Sequence, residues 1–427
     1  MQQVSDSPAM GCEHFPAKTR EEELFGWLIC AGMGNYTPDK LLKEFCERLN
    51  AIDVHLHRGN IAVTTIHPQV SAFMYTWRHR EGIITNTRHL HSDEPGEGWF
   101  SSPFFFMIGN KVNFMHRRLE GNNSLDFPVL EEFREEGLTD WFSQLFDFGW
   151  GTSAEELREP SGMITSWASS APGGFTERDF GILRRAIPLF ALAIKAVASY
   201  QVAETVLETY IGRTTAREVL SGQIQRGTSK TISSVLLFAD LRGFTKLADN
   251  VGGEDLVGIL DQYLERMADP VAEFGGEVMK FIGDGMLATF PLEPGQEADI
   301  CRNSLMATQN ILTLIKNLNA RRRAEGAPVM ELDVALHIGN VMYGNVGSES
   351  RLDFTVVGSA VNEVCRMENM CGELDTSIIL SDEFVSEALY CRDQFVSVGE
   401  HALRGIRTPK QLYSLKESSV YLERLAG

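Results

Sequence analysis

The first half of the chain alternates between helical and strand-like spacing of its apolar residues. Between Glu21 and Asn50 the apolar positions recur every three or four residues, with an interruption at Thr37-Pro38, so two helices are predicted. Asp53–Trp77 is rich in β-branched and aromatic residues and predicts strands that break at Gly59-Asn60. A short helix is predicted at Pro128–Glu136, followed by two strand-like runs, WFSQLFDF and GMITSWAS.

A long helix closes this half of the chain. Thr176 is its predicted N-cap, because Asp179 follows three residues later at the spacing of a capping box. The succession of sheet, short helix, sheet and long helix predicts an α+β domain. In this order of elements it resembles the GAF-like and PAS-like sensor domains, and the resemblance implies a regulatory domain whose ligand the sequence does not identify.

The long helix carries a stripe of apolar and small side chains that alternate by three and four positions. The stripe predicts a parallel coiled coil between two copies of the chain. The alternative is a helix that packs only on the sheet of its own domain. Gly212 and Gly222 then predict a break and a second, short helix. The stripe consists of Leu189, Leu192, Ala196, Ser199, Ala203, Val206 and Tyr210.

The second half has the order strand, helix, hairpin, helix, strand, which is that of a ferredoxin-like βαββαβ core. The predicted elements are a strand at Ser234–Phe238, a helix at Gly253–Phe274, a hairpin at Gly276–Phe290, a helix at Ala298–Arg323 and a strand at Met330–Ile338. The fold class is therefore α+β in both halves. The predicted domains are a tail (1–20), the sensor domain (21–185), a helical coiled-coil linker (186–230), the second α+β domain (231–417) and a tail (418–427).

Composition restricts the partners and the compartment. A formal net charge of -19 over 427 residues disfavours binding to nucleic acid and anionic lipid. The first residues lack the basic start and apolar run of a signal peptide, and the longest apolar stretch, Ile187–Tyr200, is shorter than a membrane span. We therefore expect a cytoplasmic protein without a membrane span. The seven scattered cysteines are predicted to be reduced.

Histidines are concentrated in the first half, where eight of the ten lie. His55 with His57, and His89 with His91, alternate as neighbours in a strand do. One interpretation is a metal or haem site. The other is a set of surface and hydrogen-bonded histidines, which is favoured because no spacing forms a known ligand set.

Two aspartates of the second half are placed beside strands. Asp240 follows the apolar run SSVLLFA, and the loop LRGFT after it contains a glycine that lets the backbone approach a ligand closely. Asp284 lies at the tip of a predicted hairpin. If the hairpin pairs beside the first strand, the two carboxylates converge and repel unless cations separate them, as Mg²⁺ with substrate phosphates would. A lone Asp-Gly is more often a simple turn.

Three ordered motifs resemble those of the class III nucleotide cyclases. They are FADLRGFT, GGEVMKFIGDGMLATF and HIGNVMYGNVGSESRLDFTVVGSAVNEVCRMEN, and the resemblance covers nearly all of residues 231–415. It implies an adenylate cyclase that converts ATP to 3′,5′-cyclic AMP and pyrophosphate with two Mg²⁺ or Mn²⁺ ions per site. One departure is Ser359, which stands where the family commonly has Asp, at a position that varies within the family.

The resemblance assigns roles to individual residues. Asp240 and Asp284 resemble the metal-binding aspartates, and the carbonyl of Leu241 would add a further oxygen. Lys280 matches the lysine that selects the purine. Thr355 matches the second purine contact, where a Thr resembles the subgroup called class IIIb.

Two further sets of residues are implied to bind substrate or act on it. Asn362 and Arg366 match the pair that acts on the transition state, and their spacing of four places them on one face of a helix. The backbone N–H groups of Gly243, Phe244 and Thr245 would face phosphate oxygens.

The resemblance also implies a head-to-tail homodimer. In the family the metal aspartates come from one subunit and the remaining side chains from its partner, and this chain carries both sets. A monomer should therefore be inactive. Two alternatives remain: a guanylate cyclase, disfavoured by Lys280 because guanylate cyclases tend to have Glu there, and a catalytically weak cyclase-fold module with a binding or regulatory role.

Overall fold

A computed structural model describes residues 17–67, 69–91, 96–121, 124–149, 162–222, 227, 229–348 and 351–416. The chain divides into two compact units, Met1–Val206 and Leu207–Gly427. Each unit contains one β-sheet with helices, so both are α+β as predicted. Most of the two predicted tails lies outside the described residues.

The described part of the first unit begins with two helices and ends with the long helix α6. Its helices are α1 (Arg20–Met33), α2 (Pro38–Ala51), α3 (Glu97–Phe100), α4 (Pro103–Gly109), α5 (Pro128–Glu135) and α6 (Glu177–Ile211). Its strands are β1 (Arg58–Thr64), β2 (Val70–Arg78), β3 (Gly82–Leu90), β4 (Phe114–Arg118), β5 (Asp140–Asp147) and β6 (Gly162–Ser169). The strands form an antiparallel sheet in the order β3-β2-β1-β6-β5-β4.

The two N-terminal helices and α6 form one hydrophobic core with a face of the sheet. Phe45 of α2 stacks on Phe190 of α6 with 4.4 Å between ring centroids, and both rings meet Trp167 of β6 edge-on. The predicted capping box begins α6. The N–H of Thr176 donates to Asp179 Oδ2 at 2.8 Å, and the N–H of Asp179 donates to Thr176 Oγ1 at 3.2 Å.

The predicted coiled-coil stripe lies on the exposed side of α6. Its side chains Leu192 and Tyr210 are 63% and 75% exposed, whereas Ile187, Phe190 and Ile194 of the opposite face are buried. The helix therefore packs on its own sheet with a different face from the stripe. By length and composition alone α6 would suffice to cross a membrane, but a core helix passes the same test.

The predicted strand break at Gly59-Asn60 is wrong, because β1 runs through both residues. Gly59 serves close packing instead of a turn: a Cβ at this position would lie 2.9 Å from Cys46 Sγ and 3.0 Å from the ring of Trp167. Asn60 is held within the sheet, where its Nδ2 donates to Thr76 Oγ1 at 2.8 Å. A glycine followed by an asparagine often marks a turn, but here the two residues are explained by their tertiary contacts with Cys46, Trp167 and Thr76.

The histidines of the first unit make ordinary hydrogen bonds. His116 Nε2 lies 2.7 Å from the buried carboxylate of Asp140, and His67 Nδ1 accepts from the backbone N–H of Gln69 at 2.9 Å. Within the described ranges, no group of three or more His, Cys, Asp or Glu residues is arranged to hold a metal ion. His14 lies outside these ranges.

Most described cysteines are free thiols, as predicted. Cys30 is the exception: it is disulfide-bonded, so the prediction of reduced cysteines is wrong at this position. The free thiols are Cys46, Cys301, Cys365, Cys371 and Cys391.

The second unit contains a mixed sheet in the order β13-β14-β12-β10-β7-β9-β8, with β11 paired to β10. Its strands are β7 (Ser229–Arg242), β8 (Glu277–Ile282), β9 (Gly285–Pro291), β10 (Glu331–Gly347), β11 (Leu352–Val357), β12 (Ile378–Ser381), β13 (Phe395–His401) and β14 (Lys410–Leu415). Its helices are α7 (Arg213–Leu220), α8 (Phe244–Ala248), α9 (Gly253–Glu273), α10 (Glu297–Ala324), α11 (Ser359–Glu368), α12 (Met370–Glu373) and α13 (Asp382–Glu387), with a 3-10 helix at Leu389–Gln394.

The core of this unit is the predicted ferredoxin-like arrangement. Its chain order is β7-α9-β8-β9-α10-β10, and its strands lie side by side as β10-β7-β9-β8. The predictions Ser234–Phe238 and Met330–Ile338 are too short, because β7 and β10 pair from Ser229–Gly344 to Arg242–Glu331. The ladder of backbone hydrogen bonds continues past the predicted segments through mixed polar and apolar residues, among them the buried Leu241 and Val341.

We predict that Gly59→Ala lowers the free energy of unfolding of the first unit by about 1–3 kcal/mol, since the added methyl overpacks the contact with Cys46 and Trp167. Denaturant unfolding measures this loss. Gly26→Ala in α1 is the control, because nothing lies within 4 Å of its new Cβ; its effect should be neutral or stabilising by up to about 1 kcal/mol. Equal effects of the two substitutions would contradict the packing role of Gly59.

Candidate active site

Asp240 lies inside β7, so its predicted position just after the end of the strand is wrong. What ends here is the pairing with β9, whose last partners are Ala239 and Met286. On its other side β7 continues beside β10, and Asp240 lies directly opposite Asp333. On one side of Asp240, β7 is therefore paired with β10, and on the other side lies the turn of the β8–β9 hairpin.

Asp284 lies in the tight turn of that hairpin, as predicted. Ile282 pairs with Gly285, which leaves Gly283 and Asp284 as a two-residue turn, and Gly283 has a φ of 65°. A positive φ at the first turn residue is the geometry that favours glycine in such hairpins. A Cβ at Gly285 would lie 2.7 Å from Asp240 Oδ1, so this glycine lets the turn approach the first carboxylate.

The two carboxylates form a site that favours a cation. Burial, then the charges of Asp284 and Asp333, raise the pKa of Asp240 to about 6. Burial also raises the pKa of Asp284. Paired carboxylates with substrate phosphates are the ligand set that Mg²⁺ prefers, so the side chains present fit the Mg²⁺ or Mn²⁺ ions implied by the sequence.

Asp333, Arg242 and Glu368 lie near Asp240, and the sequence analysis predicted no role for any of them. Arg242 neutralises Asp333 through two hydrogen bonds, from Nε at 2.9 Å and from a terminal nitrogen at 2.5 Å. Glu368 of α11 is buried, and burial together with the charge of Asp240 raises its pKa to about 8. The strand register and the docking of α11 bring these residues together, and no local sequence pattern announces either.

The predicted phosphate-binding loop begins directly after the end of β7. Gly243 has a φ of 92° and turns the chain from β7 into α8, which begins at Phe244 and includes Thr245. The side chain of Leu241 is buried in the hydrophobic core, so this residue can offer a ligand only its backbone.

Lys280 lies on β8 next to an irregularity in the pairing with β9. The register shifts between Val278 and Lys280, and such a bulge changes the direction of the following side chain. The ammonium group of Lys280 lies 2.5 Å from Asp353 Oδ2 on β11. Thr355 is two residues further along the same strand, hence on the same face as Asp353. The structure therefore brings Lys280 to β11, the strand that carries Thr355, which is itself buried.

Asn362 and Arg366 lie on α11, as their spacing predicted. The helix buries Val364 and Met367 against the sheet, while Asn362 is exposed and Arg366 is half-buried. Within the described part of the chain, the guanidinium of Arg366 has no carboxylate within ion-pair distance, so it can bind a charged ligand.

The metal-binding and substrate-binding sets do not neutralise one another within the chain. The charges that raise the pKa of Asp240 are the carboxylates of Asp284 and Asp333, and within the described residues no ion pair joins Lys280 or Arg366 to Asp240 or Asp284.

Residues 228–417 match the family model described as the adenylate and guanylate cyclase catalytic domain. The chain is 29% identical over 173 residues to an adenylate cyclase of Anabaena cylindrica, across 40% of the chain and 34% of that protein. It is 27% identical over 184 residues to adenylate cyclase 1 of Rhizobium meliloti, across 42% of the chain and 27% of that protein. The chain thus spans about a third or less of these relatives.

A solved structure, the adenylyl cyclase CyaB from P. aeruginosa, is 26% identical with a TM-score of 0.40, covering 47% of this chain and all of that one. On the motifs and the family match, the second unit belongs to the class III nucleotide cyclases. It is an adenylate and guanylate cyclase catalytic domain joined to a sheet-containing N-terminal unit.

We predict that Mn²⁺ raises the melting temperature of the protein more at pH 7.5 than at pH 5. Because the pKa of Asp240 rises from 3.8 to about 6 on folding, the metal-free protein loses stability as the pH rises between these values, and a bound cation restores it. Below about pH 6 the proton competes with the metal, so Mn²⁺ affinity should fall about tenfold per pH unit.

Asp284→Asn should remove most of the Mn²⁺-dependent shift at pH 7.5. Asp299→Asn is the matched control, an exposed aspartate paired with Arg302 in α10. Equal Mn²⁺ shifts in the two variants would contradict the assignment of Asp284 as a ligand.

Proposed function

We propose that this protein is an adenylate cyclase that converts ATP to 3′,5′-cyclic AMP and pyrophosphate. The observation that carries the proposal is the convergence of Asp240 and Asp284 at the hairpin turn, where their pKa values are raised in the absence of a cation. Adenylate cyclases among the relatives support the same activity.

Mg²⁺ or Mn²⁺ bound by Asp240 and Asp284 would supply Lewis-acid activation of the ribose 3′-hydroxyl and charge neutralisation of the triphosphate. The chain's own groups position the substrate for in-line attack of the 3′-oxygen on the α-phosphorus. The carbonyl of Leu241 completes the oxygen ligands, and the N–H groups of Phe244 and Thr245 face phosphate oxygens. Pyrophosphate is the leaving group.

Asn362 and Arg366 act on the transition state. The guanidinium of Arg366, free of a carboxylate partner among the described residues, stabilises the negative charge that develops on the phosphoryl oxygens. The amide of Asn362, one helical turn away on the same side of α11, orients the ribose.

Lys280 supports ATP as the substrate. Its ammonium group is a donor, which suits the acceptor N1 of adenine and conflicts with the N–H that guanine presents at this edge. Thr355 lies on the same surface and accepts from the exocyclic amine of adenine.

A head-to-tail homodimer, as the resemblance to the family implies, completes each site. Six exposed apolar side chains lie on β8, β10 and β11, and β8 and β11 also carry Lys280 and Thr355. A monomer would leave these six side chains in water. They are Phe281, Ile282, Met342, Val346, Leu352 and Val357, each 41–49% exposed. The exposed stripe of α6 supports a parallel helical linker in the same dimer.

The N-terminal unit serves as a GAF-like sensor in a cytoplasmic enzyme. The order of its elements supports this role, and α7 supplies a route to the catalytic unit. The N–H of Thr214 in α7 donates to Glu277 at the start of β8 at 2.8 Å, and Thr215 lies 3.0 Å from the hydroxyl of Tyr343 on β10. A movement of α7 therefore acts on β8, the strand that carries Lys280.

Purified protein with Mn²⁺ should produce cyclic AMP from ATP, and Asp240→Ala should lower the rate by about 100-fold or more, as expected for loss of a charge-stabilising group. Lys280→Glu should reduce the preference for ATP over GTP. Asp299→Ala should match the unmodified protein. Cyclic GMP as the main product would favour a guanylate cyclase, and no cyclic nucleotide from either substrate would leave only a regulatory module.

Two inactive variants should restore activity when mixed. In a head-to-tail dimer, one Asp240→Ala chain and one Arg366→Ala chain form one intact site and one doubly defective site. Half of the dimers in an equal mixture are mixed, so about one quarter of the unmodified activity is expected. The measurement is cyclic AMP formation after co-refolding or co-expression. Activity no higher than the two parents would contradict the shared site.

A further inference from the structure

Glu363 of α11 carries a charge that the proposed reaction does not use. It directly follows Asn362 and lies three residues before Arg366. Side chains three positions apart are neighbours on a helix surface, and a glutamate that precedes an arginine at this spacing readily forms an ion pair with it. Such a pair would occupy the guanidinium that the proposed function assigns to the phosphoryl oxygens. Arg366 can act only if Glu363 is kept away from it.

The carboxylate of Glu363 is paired instead with Lys410, the first residue of β14. Lys410 Nζ lies 3.2 Å from Glu363 Oε2 and 2.8 Å from Glu383 Oε1, so one ammonium group joins α11 to α13. The side chains of Lys410 and Glu363 are only 26% and 20% exposed, and water and salt therefore screen this pair less than a fully exposed one.

His337 also lies beside Glu363, but it does not replace the charge of Lys410. The imidazole is buried in β10, with Nδ1 3.0 Å from Ser381 Oγ and Nε2 3.7 Å from Glu363 Oε2. Burial lowers the pKa of His337, although the charges of Glu383 and Glu363 oppose this shift. The imidazole is therefore neutral at pH 7. Lys410 is the charged partner that compensates the two carboxylates.

The chain segment that ends at Lys410 also lies against Arg366. A Cβ at Gly405 would lie 3.5 Å from a terminal nitrogen of the guanidinium, so this loop residue contacts Arg366 without bringing a charge to it. The start of α11 packs directly on β10, since a Cβ at Gly339 would lie 2.4 Å from Ala360 Cβ. The segment from Gly405 to Lys410 thus binds the carboxylate of α11 and leaves its guanidinium for a ligand.

We propose that Lys410 is a positioning residue, which holds the carboxylate of Glu363 and thereby keeps the guanidinium of Arg366 available to the substrate. This inference rests on the proposed cyclase activity, in which Arg366 acts on the transition state. Without Lys410, the carboxylates of Glu363 and Glu383 repel one another, and Glu363 turns to Arg366, its neighbour on α11.

The test measures kcat and KM for ATP in full-length variants at a fixed Mn²⁺ concentration. Lys410→Met removes the ammonium group and keeps an unbranched apolar side chain. It should lower kcat roughly fivefold with little change in KM, because a partly captured Arg366 stabilises the transition state less. Lys410→Met combined with Glu363→Gln should restore kcat to within about twofold of the unmodified protein, because no carboxylate remains to capture Arg366.

Two controls separate positioning from a structural role. Glu383→Gln weakens the shorter contact of Lys410 but leaves Glu363 paired, so kcat should not change. If Lys410 served only to join α13 to β14, this variant would lose as much activity as Lys410→Met. Lys410→Arg keeps the positive charge and should retain kcat. The melting temperature of each variant reports its folding.

An unmodified kcat in Lys410→Met, in an enzyme that makes cyclic AMP, would overturn this inference alone. Equal losses in Lys410→Met and in the double variant, whether of kcat or of folding, would show a structural role and would overturn it as well. Absence of cyclic nucleotide formation by the unmodified protein would overturn the proposed function and this inference with it.

Discussion

The antiparallel register of β7 between β10 and β9 is the constraint on which the catalytic unit depends. It places Asp240 opposite Asp333 on one side and beside the hairpin turn on the other. A shift by one residue would move Asp240 to the opposite face of the sheet. Three like charges then lie near one another, and the fold pairs Asp333 with Arg242, while the pKa of Asp240 stays raised by burial and by the charges of Asp284 and Asp333.

Gly285 and the apolar packing of β7 stabilise this arrangement against the repulsion between its carboxylates. Gly285 has no side chain where a Cβ would meet the carboxylate of Asp240, and the segment Val235–Ala239 that directly precedes Asp240 in β7 is buried. Burial of these strands stabilises the sheet, so that the repulsion is confined to the turn. Two carboxylates whose mutual repulsion is held in place by a buried scaffold favour a cation between them.

Much of the fold and the site could be predicted because the signals are local. The capping box at Thr176, the breaks at Thr37-Pro38 and Gly212, and the turn at Asp284 each depend on a few adjacent residues. The break predicted at Gly59 failed for a physical reason: the sequence shows a glycine, but only the tertiary structure shows Cys46 and Trp167 against it. The lengths of β7 and β10 were likewise underestimated, since their ends are set by pairing and not by hydrophobicity.

The residues that the sequence did not reveal share one property: each acts through a long-range contact. Asp333 reaches Asp240 through strand register, Glu368 through the docking of α11, and Asp353 reaches Lys280 across 73 positions of sequence. The motifs identify the side chains to which the resemblance assigns a role, whereas the groups that contact those side chains come from distant elements. The position of the Lys280 ammonium group therefore depends on how β11 lies beside β8.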